Sequence, residues 1–180
     1  MKFLKQKIAD VFLIEPEPFI DRRGLFRRQF CQRELFDHGI RFDVRQCSIS
    51  ENKLRHTCRG LHYQKAPHQE GKILSCLKGS IHDVIVDLRP GSATYLQWLA
   101  VGLNEGNRVS LYVPPGCANG YMTLADDTWI FYYHSEFYTP GSESGIRYND
   151  PYFTFKWPAE PAVISEKDLH FPDFILEKSD

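Results

Sequence analysis

Through much of this 180-residue chain the apolar residues recur at every second position, which is the period of a β-strand and not of a helix. Residues 80–89 show the pattern most clearly, with Val84 and Val86 on one face and Ile81 and Ile85 on the other. The same alternation predicts strands at residues 97–103, 108–113 and 128–135. Turns rich in glycine and proline separate these segments at intervals typical of a sandwich or barrel. The sequence therefore predicts a mostly β fold.

Helix is predicted to be a minor component. Short helices are expected at residues 32–38 and 165–169. Ser165 would cap the second helix, with Asp168 three residues on, as in a variant of the capping box. On this interpretation alone, Asp168 is a helix-capping residue.

Length and charge limit the range of functions. A chain of 180 residues fits one domain with a core large enough to fold unaided. Its 22 lysines and arginines nearly balance its 23 aspartates and glutamates, so no overall field attracts it to nucleic acid or to an anionic membrane. No apolar run approaches the roughly 18 residues that a membrane span needs. Nucleic acid and membranes are therefore not expected as partners.

The cysteines indicate a reducing compartment. They are Cys31, Cys47, Cys58, Cys76 and Cys117. Their number is odd, and they are scattered without a Cys-x-x-Cys pair or the spacing of a zinc site or disulfide framework. Reduced thiols and a cytoplasmic location are predicted.

The segment Arg-Gly-Leu-His-Tyr-Gln at residues 59–64 places a base close to a cation, because Lys72 follows it within one predicted hairpin. Histidine side chains in general titrate near neutral pH, so the histidine of this segment, His62, is a candidate to take a carbon-bound proton. Lys72 can stabilise the oxyanion that forms when a proton leaves the carbon next to a carbonyl. The pairing predicts enolate chemistry.

The strand that carries His62 is too polar for a simple core face. Strict alternation puts Cys58, Gly60, His62 and Gln64 on one side, which suits the lining of a cavity in a barrel. Arg59 would then point away. Its use in the same site requires a local distortion, for which Gly60 is the natural place.

Ordinary structural roles also fit several of these residues. Lys72 alone is typical of a solvated strand end. Tyr132 lies between Phe131 and Tyr133, where aromatic packing would be unremarkable. Spacing alone therefore leaves a structural and a catalytic interpretation open for both.

A series of ordered segments runs from one end of the chain to the other. They include Phe-Ile-Asp-Arg-Arg-Gly-Leu-Phe at 19–26, residues 59–64, Gly-Lys at 71–72, residues 83–89, Pro-Gly-Cys-Ala-Asn-Gly-Tyr at 115–121, and residues 138–140, 149–151, 157–158 and 164–168. In these segments the chain resembles the dTDP-4-dehydrorhamnose 3,5-epimerase family. The resemblance implies a metal-free cupin-type β-barrel, a jelly roll, that acts on a nucleotide-diphosphate sugar. It also implies a homodimer in which a segment near the N-terminus reaches the partner's site.

The resemblance implies catalytic roles as well. His62 would abstract the proton beside the C4 ketone, and Asp168 would pair with it. Tyr132 would be the acid on the opposite face, and Lys72 would stabilise the enolate oxygen. Whether C3, C5 or both centres are inverted stays open.

Substrate-binding roles follow from the same resemblance. Arg59 and Arg23 would engage the diphosphate, as donors that need no change of protonation. Tyr138 would stack on the nucleobase or the sugar. The other substrate-binding residues implied are Arg28, Gln46, Asn119, Glu143 and Lys167.

A metal site is not expected, although His62, His68 and Glu70 lie roughly where a metal-binding cupin carries ligands. Gln64 and Asn119 occupy positions where such a cupin has histidine. Neutral amides are poor ligands for transition metals. We therefore expect neither a metal nor another cofactor.

Three departures from the family concern the substrate. Asn119 stands where the family commonly has a histidine, which removes a cation near the substrate. Arg28 replaces a common glutamate, and residues 44–46 differ from the usual nucleotide-binding pair. Thymine offers an N3–H donor to a carboxylate, whereas the N3 acceptor of cytosine suits arginine. Arg28 alone hints at a CDP-linked sugar, whereas the resemblance implies a dTDP-linked one, and a GDP-linked sugar is a further alternative.

Two rival functions fit the same residues. A non-catalytic cupin that binds a sugar nucleotide would keep Arg59 but would not need His62, Lys72, Tyr132 and Asp168 together. A 3,4-ketoisomerase would use a similar fold and a histidine base. The presence of all four residues favours an epimerase.

Overall fold

Two antiparallel sheets form most of the molecule in the computed structural model, which describes residues 1–176. In spatial order, the larger sheet contains β1 (Lys2–Lys5), β2 (Phe12–Glu15), β10 (Ser110–Val113), β7 (Lys72–Lys78), β12 (Thr128–His134) and β5 (Gln46–Asn52). The smaller sheet contains β13 (Glu143–Gly145), β6 (Cys58–Gln64), β11 (Cys117–Thr123), β8 (Ser80–Asp87) and β9 (Trp98–Asn104). The predicted mostly β class is confirmed.

The alternation predicted for β8 is confirmed, and both of its faces are buried. Ile81 and Ile85 belong to a cluster with residues from both sheets, including Leu74 of β7. Val84 and Val86 pack on the other side, against aromatic residues from the later part of the chain. Both faces of the strand carry apolar residues because each face meets its own core.

The strands predicted at residues 97–103, 108–113 and 128–135 correspond to β9, β10 and β12. The start of β10 was predicted two residues too early. Arg108 has φ +57°, which lies in the left-handed region and cannot continue a strand. The strand therefore begins at Ser110.

Both predicted helices are present, as α1 (Gln32–Asp37) and α2 (Glu166–Leu169). Ser165 caps α2, since its Oγ accepts the backbone N–H of Asp168 at 3.1 Å. The carboxylate of Asp168 does not complete the predicted capping box, because it accepts hydrogen bonds from β6 instead. The helix thus directs Asp168 toward the strand that carries His62.

A small hairpin stands apart from both sheets. It consists of β3 (Phe19–Asp21) and β4 (Gly24–Phe26), which pair with each other. Three of its apolar side chains are well exposed: Phe19 at 62%, Ile20 at 68% and Phe26 at 75%.

All five cysteines are free thiols. Within residues 1–176, no helix has the length and apolar character needed to cross a membrane. The cytoplasmic location stays a prediction.

Candidate active site

An open cavity of about 350 Å³ lies between the two sheets, a size typical of small-molecule sites. Strands of both sheets contribute side chains to its wall. The predicted site residues that line it are Gln46, Arg59, His62, Lys72, Asn119, Tyr132, Tyr138 and Glu143. Asp168 and Lys167 line an adjoining recess that shares Arg59, His62 and Glu143 with the cavity.

The distortion predicted at Gly60 is present and decides which side chains of β6 face the cavity. His62 pairs with Asn119 on β11, whereas Arg59 pairs with Tyr121, so two residues of β6 oppose one residue of β11. A Cβ on Gly60 would lie 2.7 Å from the Cα of Gly120, so only glycine fits. Arg59 consequently lines the cavity with His62 and Gln64, and Cys58 does not. Cys58 borders the adjoining recess together with His62 and not the main cavity, so strict alternation does not describe the strand across the bulge.

His62 and Asp168 form a hydrogen-bonded pair. The Nε2 of His62 lies 2.6 Å from Oδ1 of Asp168, and Oδ2 of Asp168 accepts the backbone N–H of Gly60 at 3.0 Å. Burial alone would raise the pKa of Asp168, but these two hydrogen bonds outweigh it and lower the pKa below its ordinary value. The ionised carboxylate accepts a hydrogen bond from Nε2–H, which leaves Nδ1 of His62 as the nitrogen that can take a proton.

Lys72 is nearly buried beside this pair, with 9% of its side chain exposed. Its ammonium donates to the backbone carbonyl of His62 and to Oδ1 of Asn119, both at 3.1 Å. Asn119 in turn donates from Nδ2 to Oδ2 of Asp83 at 3.3 Å. The ammonium is therefore fixed in the wall of the cavity that His62 also lines.

Tyr132 belongs to β12, in the sheet opposite His62, and lines the same cavity. Burial of its hydroxyl raises the pKa of Tyr132 well above its ordinary value, and the neighbouring Tyr121 raises it further. Tyr132 therefore holds its proton firmly. A group of this kind suits donation to a strong base such as an enolate carbon, and not proton abstraction.

The mouth of the cavity is bounded by a second set of predicted residues. The side-chain oxygen of Gln46 accepts the backbone N–H of Tyr138, and Tyr138 Oη donates to Glu143 at 3.4 Å. Glu143 is also paired with Lys167. With 57% of Tyr138 exposed, its ring is available for stacking at the entrance.

Arg23 and Arg28 do not line this cavity. Arg23 is paired with Asp21 of its own hairpin, and 81% of its side chain is exposed. Arg28 donates to Glu34 at 2.6 Å and borders a separate surface recess. The predicted substrate contacts of both arginines are therefore not made by the cavity of the same chain.

Sequence reasoning did not select several polar residues of the cavity. These are Ser48, Ser50, Glu70, Tyr121 and His134. The period of two could have found three of them. On β5, Ser48 and Ser50 follow the predicted Gln46 at steps of two. On β12, His134 lies two residues after the predicted Tyr132. The sequence marked Glu70 only as a residue near the position of a cupin metal ligand, and no pattern linked it to His134.

Gln64 and Asn119, at the positions where a metal-binding cupin carries ligands, use their side chains in other hydrogen bonds. Gln64 accepts the backbone N–H of Thr139 and donates to the carbonyl of Phe137, while Asn119 bridges Lys72 and Asp83. Among the residues that the structure describes, no three histidine, cysteine, aspartate or glutamate side chains are grouped to hold a metal ion.

Comparison with known proteins gives one consistent family. The family model for dTDP-4-dehydrorhamnose 3,5-epimerase matches residues 5–175. The Shigella flexneri protein of that name is 34% identical over 176 residues, or 97% of each chain. The Bacillus anthracis dTDP-4-dehydrorhamnose 3,5-epimerase, solved with TDP and pyrophosphate, is 35% identical with a TM-score of 0.93 and covers 96% of this chain and 99% of its own.

A more distant structure belongs to the same set. It is a 3′-monoepimerase from Streptomyces bikiniensis in complex with dTDP-quinovose, which is 28% identical with a TM-score of 0.86 and covers 93% of this chain and 85% of its own. These likenesses confirm the predicted cupin-type barrel. The chain belongs to the dTDP-4-dehydrorhamnose 3,5-epimerase family.

Proposed function

We propose that this protein inverts C3, C5 or both in a 4-keto-6-deoxyhexose linked to a nucleoside diphosphate. The observation that carries the proposal is the arrangement of His62 and Tyr132, which face one cavity from opposite sheets. Inversion of a carbon requires loss of a proton on one face and gain of a proton on the other. A base and an acid across a cavity supply both steps.

The chemistry begins at the free nitrogen of His62. This nitrogen takes the proton from the carbon beside the C4 ketone, and the electrons of the broken C–H bond move to the ketone oxygen. Lys72 stabilises the oxyanion through its ammonium hydrogens. The C–H bond on the other face forms with the proton of Tyr132, and both side chains then recover their protonation states by exchange with solvent.

Asp168 supports the base in this scheme. Its ionised carboxylate, 2.6 Å from His62, orients the ring and stabilises the imidazolium that forms. Arg59 is the cationic donor of the cavity wall that we assign to the diphosphate. Tyr138, at the mouth, is assigned to the nucleobase, with dTDP as the first choice because the relatives act on or bind dTDP-linked compounds.

The experiment is deuterium incorporation in D2O, followed by NMR, with the dTDP-, CDP- and GDP-linked 4-keto-6-deoxyglucose. We expect exchange beside the ketone with one nucleotide, and loss of that exchange in His62→Ala. The label positions identify the inverted centres, which matters because one relative is a monoepimerase. Tight binding of all three compounds without exchange would overturn the proposal and favour a non-catalytic binding cupin.

We also propose a homodimer that shares its sites. Arg23 and Arg28 lie outside their own chain's cavity, and the hairpin next to them exposes Phe19, Ile20 and Phe26. An exposed apolar hairpin that carries cations fits a segment that crosses to a partner's cavity.

Mixing two inactive variants tests this assembly. Arg23→Ala and His62→Ala each lack one part of the site, but a hybrid of the two has one intact site. Random re-association should restore about a quarter of the wild-type sites, since half of the dimers are hybrids with one active site in two. A protein that stays monomeric by light scattering, or a mixture without recovery, would contradict the shared site.

A further inference from the structure

A second pair of carboxylate and imidazole lines the cavity, apart from His62 and Asp168. Nδ1 of His134 lies 3.0 Å from Oε2 of Glu70, and the side chains are 18% and 12% exposed. The ring of His134 is stacked on that of Tyr132, with centroids 5.6 Å apart and an interplanar angle of 19°. The pair is thus held on the wall that carries Tyr132, facing the proposed sugar site.

Glu70 also adjoins Lys72. Its Oε1 lies 3.5 Å from the ammonium, farther than the two 3.1 Å contacts of Lys72 with His62 and Asn119. An ammonium has three hydrogens to donate. An incoming ketone oxygen would displace the longest of these contacts at the least cost, which leaves Glu70 held by His134 beside the oxygen.

Glu70 is an ionised acceptor in this position. Burial alone would raise its pKa, but the hydrogen bond from His134 and the charge of Lys72 outweigh burial and lower it. A carboxylate without a proton can only accept hydrogen bonds. Its natural ligand in the sugar is therefore a hydroxyl group, and not the ketone.

The position of Lys72 limits which hydroxyl this can be. With the C4 oxygen on Lys72, the substituents nearest to Glu70 are those on the two carbons next to C4, because the Oε1 of Glu70 lies 3.5 Å from the ammonium. In a 4-keto-6-deoxyhexose, C5 carries a methyl group and C3 carries a hydroxyl. Only the C3 hydroxyl can donate.

We propose that Glu70 binds the C3 hydroxyl of the substrate and that His134 positions Glu70 for this contact. The inference rests on the proposed function, because it uses the ketone on Lys72 as its reference. Inversion at C3 moves the hydroxyl to the other side of the ring. A fixed acceptor therefore favours one configuration at C3 and makes Glu70 a specificity-determining residue.

The test compares two substrates in two proteins. Exchange beside the ketone is measured as kcat/KM for the 4-keto-6-deoxy sugar and for its 3-deoxy analogue, with wild type and Glu70→Met. Loss of the contact to Lys72 affects both sugars equally and cancels in their ratio. We expect the preference for the 3-hydroxy sugar to fall about tenfold to a hundredfold, the typical range for a hydrogen bond to a charged group.

An unchanged ratio in Glu70→Met would overturn the inference while leaving the proposed function intact. Absence of exchange by the wild-type protein with either sugar would instead overturn the proposed function, and this inference with it. The two failures are therefore distinguishable. Thermal unfolding of the variant checks that the fold is kept.

His134 is tested with two replacements. His134→Asn retains a donor near the position of Nδ1, whereas His134→Phe retains a ring that can stack on Tyr132 but has no donor. We expect Phe to lower the 3-hydroxy preference and Asn to preserve most of it. Equal loss of the preference in both variants would contradict the positioning role.

His82→Phe is the matched control for removal of a histidine. His82 bonds the backbone carbonyl of Lys156 at 2.9 Å and does not line the cavity. Its replacement should leave the ratio of the two sugars unchanged.

Discussion

β8 carries two aspartates, four residues apart on the same face, and both are 0% exposed. Asp87, outside the cavity, accepts hydrogen bonds from the guanidinium of Arg89, at 2.8 Å to each oxygen, and from Ser92 and Thr94 at 2.6 and 2.7 Å. Asp83, behind the cavity wall, accepts from Asn119 at 3.3 Å through one oxygen. Its other oxygen has no hydrogen-bond partner within the described residues.

The pKa values of the two carboxyl groups are consequently shifted in opposite directions. At Asp87, burial would raise the pKa, but Arg89 and the two hydroxyls lower it well below its ordinary value. At Asp83, burial raises the pKa well above the ordinary value, and Asn119 and Lys72 offset only part of this effect. Both carboxyl groups are shielded from solvent, but Asp83 lies deeper in the molecule and has fewer partners, so depth and partners together set the direction of each shift. At the far end of β8, around Asp87, both carboxylate oxygens have hydrogen-bond partners. At the cavity end, around Asp83, one oxygen has no partner within the described residues.

If the cavity end of β8 serves catalysis and the opposite end serves stability, substitutions in the cavity should lower turnover and leave the free energy of unfolding little changed. His62→Asn and Tyr132→Phe should each lower turnover about 10²- to 10⁴-fold, the usual contribution of a general base or acid. Tyr132→Phe keeps the ring, so its unfolding in urea should be little affected, whereas His62→Asn also loses the hydrogen bond to Asp168 and should be somewhat less stable. Turnover and unfolding are measured on the same preparations, and near-normal turnover in both variants would sink the assigned mechanism.

The far end should show the reverse behaviour. Asp87→Asn leaves Arg89 without its buried anion and should lower the free energy of unfolding by about 3–5 kcal/mol, while the turnover of the folded fraction stays normal. Asp10→Asn is the matched control, because Asp10 bonds the same arginine at 2.9 Å but is 71% exposed. Its cost should be under about 1 kcal/mol. Equal costs would show that Arg89 does not depend on burial of its partner.

The His62 pair lies between these extremes, since Asp168 is both paired and catalytic. Asp168→Asn keeps an acceptor but removes the charge, and should lower turnover about tenfold to a hundredfold. Because the pKa of Asp168 is lowered on folding, its contribution to stability is present above its ordinary pKa and is lost as the pH falls. The stability difference between wild type and variant should therefore shrink in acid, as measured by urea unfolding at neutral and acidic pH.

The sequence predicted the strand-rich class and β8 well. In a strand with a regular period of two, every apolar residue independently indicates the same buried face, so the pattern survives a single exception. Side-chain direction in β6 was harder. Whether Arg59 or Cys58 faces the cavity depends on a bulge opposite Gly120, a pairing between distant segments. Gly60 marked the place of the distortion but not its size.

Contacts between residues far apart in the sequence limit how much of the site can be predicted from the sequence. Asp168 reaches His62 from 106 residues away, and only the resemblance to a family suggested the pair. Glu70 and His134 meet because His134 pairs with Lys72 across β12 and β7, a register that spacing along the chain does not reveal. The period of two on β12 relates Tyr132 to His134 in the sequence, but it does not reveal that Glu70 is the partner of His134.

The substitution with the smallest expected effect, at Asp83, tests the comparison between the two ends of β8 most directly. Asp83→Asn replaces a carboxyl group whose raised pKa favours the protonated form in the native state. Above the ordinary pKa of about 4 the unfolded chain releases this proton and the native protein does not, so the wild type loses stability as the pH rises toward the raised native pKa. Asparagine has no proton to hold.

The variant should therefore gain stability relative to wild type by about 1 kcal/mol between mildly acidic and neutral pH, as measured by urea unfolding. Asp87→Asn should change in the opposite direction, because its wild-type carboxylate stabilises the protein above its ordinary pKa. If Asp83→Asn instead becomes more destabilising as the pH rises, Asp83 is ionised and the two ends of β8 are alike. The sign of this slope, and not its size, separates an unpaired neutral acid from a buried ion pair.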